Sequence, residues 1–141
     1  MADETNARLL EGLQILVVDD AADNRLLVTR FLQLAGAHTD VASDGAQGIG
    51  LALSKSFDVV LMDIQMPSMD GYEAVSRLRA HHYSSPIIAL TAHAMRSERE
   101  RCLTGGFDAY LTKPISRVDL LKTIRTLADR HQQASLSIAH D

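Results

Sequence analysis

Ile15-Leu16-Val17-Val18-Asp19-Asp20 decides the fold of this chain, because the same grammar returns three more times. Val59-Val60-Leu61-Met62 runs into Asp63, Ile87-Ile88-Ala89-Leu90 into Thr91, and Ala109-Tyr110-Leu111 into Thr112-Lys113-Pro114. Each run is short, continuously apolar and bounded by polar residues. Such runs read as strands buried on both faces, the habit of a parallel sheet. Parallel strands send their C-terminal ends to one edge, and open α/β sheets bind ligands at that edge. Asp19, Asp20, Asp63, Thr91 and Lys113 are therefore expected to meet in one crevice.

The segments between these runs carry helical spacing. After the first strand, about Gln14–Asp19, a helix is expected with Asp23 as N-cap. Leu26, Leu27, Arg30, Phe31 and Leu34 would form its stripe, and Gly36 its stop. A weaker strand around Thr39–Ala42 reads as a sheet edge. Ser43-Asp44-Gly45 turns into a helix through Ile49, Leu51, Ala52 and Leu53, where Gly48 and Gly50 each cost up to about 1 kcal/mol relative to Ala. Phe57–Asp63 is the third strand, and Ile64–Gly71 a loop marked by Pro67 and Asp70-Gly71. Helices over Tyr72–Ala80 and Ser97–Leu103 flank the fourth strand, and Gly105-Gly106 stops the second of them. Ser116 caps a last helix with Val118, Leu120, Leu121, Ile124, Leu127 and Ala128 inside. Five alternations of strand and helix imply an α/β fold with a parallel sheet and right-handed crossovers. The expected organisation is a tail over 1–11, one domain over 12–130 and a loose tail over 131–141.

Bulk properties narrow the function classes. The chain has 141 residues, enough for one domain with a real core. Its net charge is −4 without a basic stripe, which argues against a nucleic-acid surface. No apolar stretch approaches the ~18 residues of a membrane span. The first residues, Met1-Ala2-Asp3-Glu4-Thr5-Asn6, are too polar for a signal peptide. The single cysteine, Cys102, excludes an intrachain disulfide and fits a reducing, cytoplasmic setting.

The strand-end residues suggest their own chemistry. Two unit charges ~4 Å apart repel by about 4 kcal/mol at an effective dielectric near 20. Asp19, Asp20 and Asp63 thus call for a cation or a proton, and an all-oxygen site suits Mg²⁺. A threonine hydroxyl can donate to a phosphoryl oxygen and an ammonium can neutralise one. Plainer roles exist for each residue alone. Asp19 or Asp20 could cap the first helix, Thr91 could cap a loop, and Lys113 could be a surface residue or form a simple ion pair. Their convergence on one edge favours a joint role. Lys113-Pro114 is biased away from helix, and a cis bond there would fix the lysine's direction.

Five ordered blocks now carry a resemblance. They are Val17-Val18-Asp19-Asp20, then Leu61-Met62-Asp63-Ile64-Gln65-Met66-Pro67 with Met69-Asp70-Gly71, then Ala89-Leu90-Thr91-Ala92, and lastly the run from Gly105 to Ile115. Over about residues 13–130 the chain resembles the receiver domain of two-component response regulators, especially receivers of hybrid histidine kinases and single-domain regulators. The resemblance implies a flavodoxin-like (βα)5 fold, with a five-stranded parallel sheet in the order 2-1-3-4-5. It implies that Asp63 accepts a phosphoryl group from a histidine kinase or a histidine phosphotransfer protein. It further implies that Asp20, Asp63 and the backbone carbonyl of Gln65 bind Mg²⁺, with Asp19 reaching the ion through water. Thr91 and Lys113 would grip the phosphoryl oxygens, small Ala92 would leave them room, and Tyr110 would swing inward as Thr91 moves. Pro114 would follow a cis bond. Gln65 and His93 fall where family members tune acyl-phosphate hydrolysis, although His93 also reads simply as a solvated loop residue.

The output face implied by the family lies over about 97–130, toward an unnamed downstream protein. No output domain is expected after residue 130, and both a complete single-domain regulator and a piece of a hybrid kinase fit the sequence. The rival class is an aspartyl-phosphate hydrolase of the haloacid-dehalogenase type. Those phosphatases typically place an acid two residues after the nucleophile, where this chain has Gln65, and no cap domain is visible. A dinucleotide-binding fold fails for want of G-x-G-x-x-G after the first strand. Adjacent His81 and His82 would point about 100° apart on a helix, unsuited to a shared metal.

Overall fold

The computed structural model describes the backbone of residues 8–140 and the side chains of residues 8–134. Its strands are β1 (Gln14–Val18), β2 (His38–Ala42), β3 (Val59–Asp63), β4 (Ile87–Thr91) and β5 (Ala109–Thr112). Its helices are α1 (Ala22–Leu34), α2 (Gly45–Ser54), α3 (Gly71–Ala80), α4 (Arg96–Thr104) and α5 (Arg117–His140). All strand pairs are parallel, in the order β2-β1-β3-β4-β5.

Strand alternation divides the core into two layers. Ile15, Val17, Val59, Leu61, Ile88 and Leu90 pack with Val28 and Leu32 of α1 and with Leu120, Leu121 and Ile124 of α5. Leu16, Val18, Val60, Met62, Ile87 and Ala89 pack with Ala52 of α2, with Ala74, Val75 and Leu78 of α3, and with Cys102 of α4. β1, β3 and β4 are covered on both faces, as their unbroken apolar runs require. β5 differs from that expectation: Ala109–Thr112 is only half-buried, because it is an edge strand with one neighbour. β2 is the other edge, consistent with its polar sequence.

The first helix corrects the expected stripe. Its buried residues are Val28, Thr29 and Leu32, while Leu26, Leu27 and Leu34 are exposed. Nor does Asp23 cap it. The N-cap position is Ala21 and Asp23 lies inside the first turn. Burial of Val28 and Leu32 sets the rotation of the helix, so the face toward the sheet runs through positions 24, 28 and 32. Val118, expected inside α5, is likewise exposed.

Both expected tails are partly ordered. Leu10 is fully buried, and its N–H donates to the Ala35 carbonyl at 2.9 Å. The Leu9 carbonyl accepts from Arg125 Nη1 at 3.0 Å. The apolar pair thus covers the open end between α1 and α5, and residues 8–11 belong to the folded body. Residues 1–7 lie outside the described residues. At the other end α5 continues through His140. No glycine or proline interrupts residues 117–140, so nothing local stops the helix. Asp141 lies outside the described residues.

Two glycines have a packing reason. A Cβ on Gly48 would stand 2.7 Å from a Val18 methyl, so α2 lies close on β1 only because this residue is small. A Cβ on Gly71 would stand 2.6 Å from the Asp63 carbonyl oxygen. Gly71 therefore lets α3 start directly against the end of β3, and its N–H donates to the Ile64 carbonyl at 2.8 Å.

Candidate functional site

Sheet register assembles the site. Val18 pairs with Met62, Asp63 with Leu90, and Thr91 with Thr112. One step beyond β1 and β5, therefore, Asp19 and Lys113 flank the end of β3. Asp19 and Thr91 are wholly buried, Asp63 is nearly so, and Asp20 is exposed. Carboxylate oxygens of Asp19, Asp20 and Asp63 lie within 4.8 Å of one another. The Lys113 ammonium stands 3.1 Å from Asp63 and 3.5 Å from Asp19. The Lys113–Pro114 bond is cis. Asp19, Asp20, Asp63 and Lys113 thus share one crevice, and Thr91 ends the strand beside it.

Neighbouring loops shape the rim. The Gln65 N–H donates to Asp63 Oδ1 at 3.1 Å, and the Gln65 carboxamide lies 3.0 Å from His93 Nε2. The Thr91 hydroxyl accepts the His93 N–H at 3.1 Å, which leaves its own proton free to donate. Ala92 is exposed beside it. Tyr110 is half-buried and lines a cleft of 490 Å³ with Ala94, Arg96, Arg99, Glu100 and Leu103.

Electrostatics set the state of Asp63. Burial, and next the negative charge of Asp19, push its carboxyl up to about 6, against the pull of Lys113 and the Gln65 N–H. One ammonium against three carboxylates leaves net negative charge in a mostly buried place. The donor set is all oxygen, with an exposed side at Asp20. That combination fits Mg²⁺, which takes carboxylates while keeping several waters.

Sequence reasoning missed two residues here. Asn24 Nδ2 donates to Asp19 Oδ2, and Arg25 Nη1 donates to the Asp19 carbonyl at 2.7 Å. Asp19 Oδ1 accepts the Ala21 N–H at 2.9 Å, forming a turn that leads into α1. The available signal was a polar pair in the first turn of α1, four residues before the buried Val28 and Thr29.

Comparison with known proteins agrees with this geometry. Residues 15–125 match the family model of the response regulator receiver domain. The chain is 41% identical over 129 residues to the sensor protein EvgS of Escherichia coli K12, covering 92% of this chain and 10% of EvgS. It therefore spans about a tenth of the length of that curated relative. Among solved structures, the receiver domain of Francisella response regulator 1452 matches with a TM-score of 0.81 at 30% identity, covering 84% of this chain and 98% of that one. The receiver of sensor histidine kinase PA1611 from Pseudomonas aeruginosa, solved with magnesium in its active-site cleft, matches with a TM-score of 0.78 at 35% identity. That match covers 84% of this chain and 98% of the PA1611 receiver.

Proposed function

The chain belongs to the response regulator receiver family, and from that membership we propose that Asp63 is its phosphoacceptor in a two-component phosphorelay. The phosphatase alternative has no support among the relatives, which are receivers and sensor kinases. The observation that carries the assignment is the placement of Asp63, a nearly buried carboxylate 3.1 Å from Lys113 and one strand from Thr91.

An ionised Asp63 oxygen attacks the phosphorus of a phosphohistidine on a kinase or phosphotransfer protein. The P–N bond breaks, its electron pair returns to the imidazole, and an aspartyl phosphate remains. Asp20, Asp63 and the Gln65 carbonyl, with Asp19 behind them, would hold Mg²⁺, which would supply positive charge to the phosphoryl oxygens. Lys113 shifts from the carboxylates to those oxygens, and the Thr91 hydroxyl donates to another. Ala92 leaves space for the incoming group. Movement of Thr91 draws Tyr110 toward the vacated space and changes the face over 97–130, where a downstream protein binds. Gln65 and His93 stand bonded over the rim, placed to set how fast water reaches the acyl phosphate. A cytoplasmic setting follows from this chemistry, because phosphohistidine donors are charged from ATP. Among the described residues no helix is long and apolar enough to cross a membrane.

Beryllofluoride, a phosphoryl mimic, tests this assignment. In the presence of Mg²⁺ it should shift the amide resonances of Thr91, Ala92 and Lys113 in the wild type and leave Asp63→Asn unchanged. No shift in the wild type would overturn the assignment.

A further inference from the structure

We propose that Asn24 is a positioning residue for the metal site, holding Asp19 in its ion-facing orientation from the first turn of α1. The inference rests on the phosphoacceptor assignment above and concerns a residue outside the strand-end set. Asp19 is wholly buried, so each of its oxygens needs a partner. Oδ1 takes the Ala21 N–H at 2.9 Å. Oδ2 is served by the Asn24 carboxamide and lies 3.5 Å from the Lys113 ammonium. Lys113 must leave the carboxylates to reach a phosphoryl group. Asn24 is the donor that stays.

The helix enforces this aim. Asn24, Val28 and Leu32 recur every four residues and share one face, and Val28 and Leu32 are wholly buried in the core. Packing of those two side chains fixes the rotation of α1, and that rotation turns Asn24 toward Asp19. Arg25 adds a second hold at 2.7 Å on the Asp19 carbonyl. No side chain caps the N-terminus of α1. The polar side chains of its first turn reach back to the end of β1 instead.

Asn24 is neutral, which suits the role. It satisfies Asp19 without cancelling the negative charge that attracts the ion, whereas a lysine there would compete with Mg²⁺. Partners of ligand residues commonly contribute 10–100-fold to metal affinity. Because Asp19 reaches the ion through water, Asn24→Ala should weaken Mg²⁺ binding by up to about 10-fold, the low end of that range. The substitution places the best helix former on a helix, so the fold should persist.

MgCl₂ titrations followed by amide NMR, on wild type, Asn24→Ala, Asp19→Asn and the double variant, separate the outcomes. The expected result is weaker binding in Asn24→Ala and no added loss when Asp19 is already Asn. Phosphorylation of Asn24→Ala by acetyl phosphate should recover at saturating Mg²⁺. Unchanged Mg²⁺ affinity in Asn24→Ala, or an equal loss in both backgrounds, would overturn the role of Asn24 alone. A wild type that shows no response to Mg²⁺ would instead overturn the metal site beneath it.

Discussion

The two ends of the sheet are built on opposite principles. At the C-terminal edge, three carboxylates crowd around one ammonium. At the N-terminal edge, one arginine and two aspartates tie loops and strand starts together. Arg79 donates to the carbonyls of Gly106 at 3.0 Å, Tyr83 at 2.6 Å and Ser85 at 3.0 Å, and to Asp108 at 2.8 Å. Asp108 in turn accepts the Ile87 N–H at 2.8 Å, at the start of β4. Asp58 does the same for Gln14, at the start of β1, at 2.7 Å. One edge pins loops together, and the other holds unrelieved repulsion that an ion and a phosphoryl group can discharge. Stability and function are thus separated along a strand only five residues long, with Asp58 before β3 and Asp63 at its end.

Breaking the N-terminal edge should have the largest effect on stability. Arg79→Ala strands three carbonyls and the Asp108 carboxylate, and should cost about 2–3 kcal/mol in denaturant unfolding. Partial solvent access to the Arg79–Asp108 pair keeps the figure below that of a dry ion pair. Phosphorylation of the remaining folded protein should be little changed.

The opposite edge should respond with the opposite sign. Asp63→Asn removes a charge that the fold resists, and should stabilise the metal-free protein by about 2 kcal/mol above pH 6. An acid with folded pKa raised from 3.8 to about 6 keeps its proton longer in the native state than in the unfolded chain. Its contribution makes native stability fall as pH rises from about 4 to about 6, and level off beyond. Unfolding curves of wild type and Asp63→Asn should therefore converge near pH 4 and separate by pH 7. Mg²⁺ should close the gap by binding only the native wild type. A gap that does not depend on pH would break the contrast between the edges.

Asp58→Asn sharpens the comparison with the smallest change. The same substitution at the start of the same strand should cost up to about 1 kcal/mol, because it weakens an acceptor for the Gln14 N–H. Stabilisation at Asp58 as well as Asp63 would mean that excess negative charge in general, not its local crowding, controls both edges.

Sequence patterning reached the functional edge well and the stabilising edge poorly, for a physical reason. Apolar runs of β1, β3 and β4 announce buried strands, so whatever follows them is placed by topology. That logic brought Asp19, Asp20, Asp63 and Lys113 together, with Thr91 at the end of the adjacent strand. Arg79 and Asp108 follow no such run, and they meet only because α3 and the turn after α4 come together in three dimensions. Asn24 was hidden by the neighbouring leucines. Leu26 and Leu27 suggested an inward face, but burial of Val28 and Leu32 decided the rotation of α1. Leu9 and Leu10 looked like a lone apolar pair in a polar tail, and only the gap between α1 and α5 gives them a seat. The length of α5 was legible in the absence of helix breakers, whereas the polar composition after residue 130 suggested an early end.

The proposed role of Asp63 requires that it alone receive the phosphoryl group, and that it need the metal to do so. The most direct measurement treats the protein with acetyl phosphate and Mg²⁺, converts the acyl phosphate to a hydroxamate with hydroxylamine, and locates it by peptide mass spectrometry. One modified residue, Asp63, is expected, with the modification abolished by chelation of Mg²⁺. A hydroxamate at Asp19 or Asp20, or none at all, would overturn the assignment.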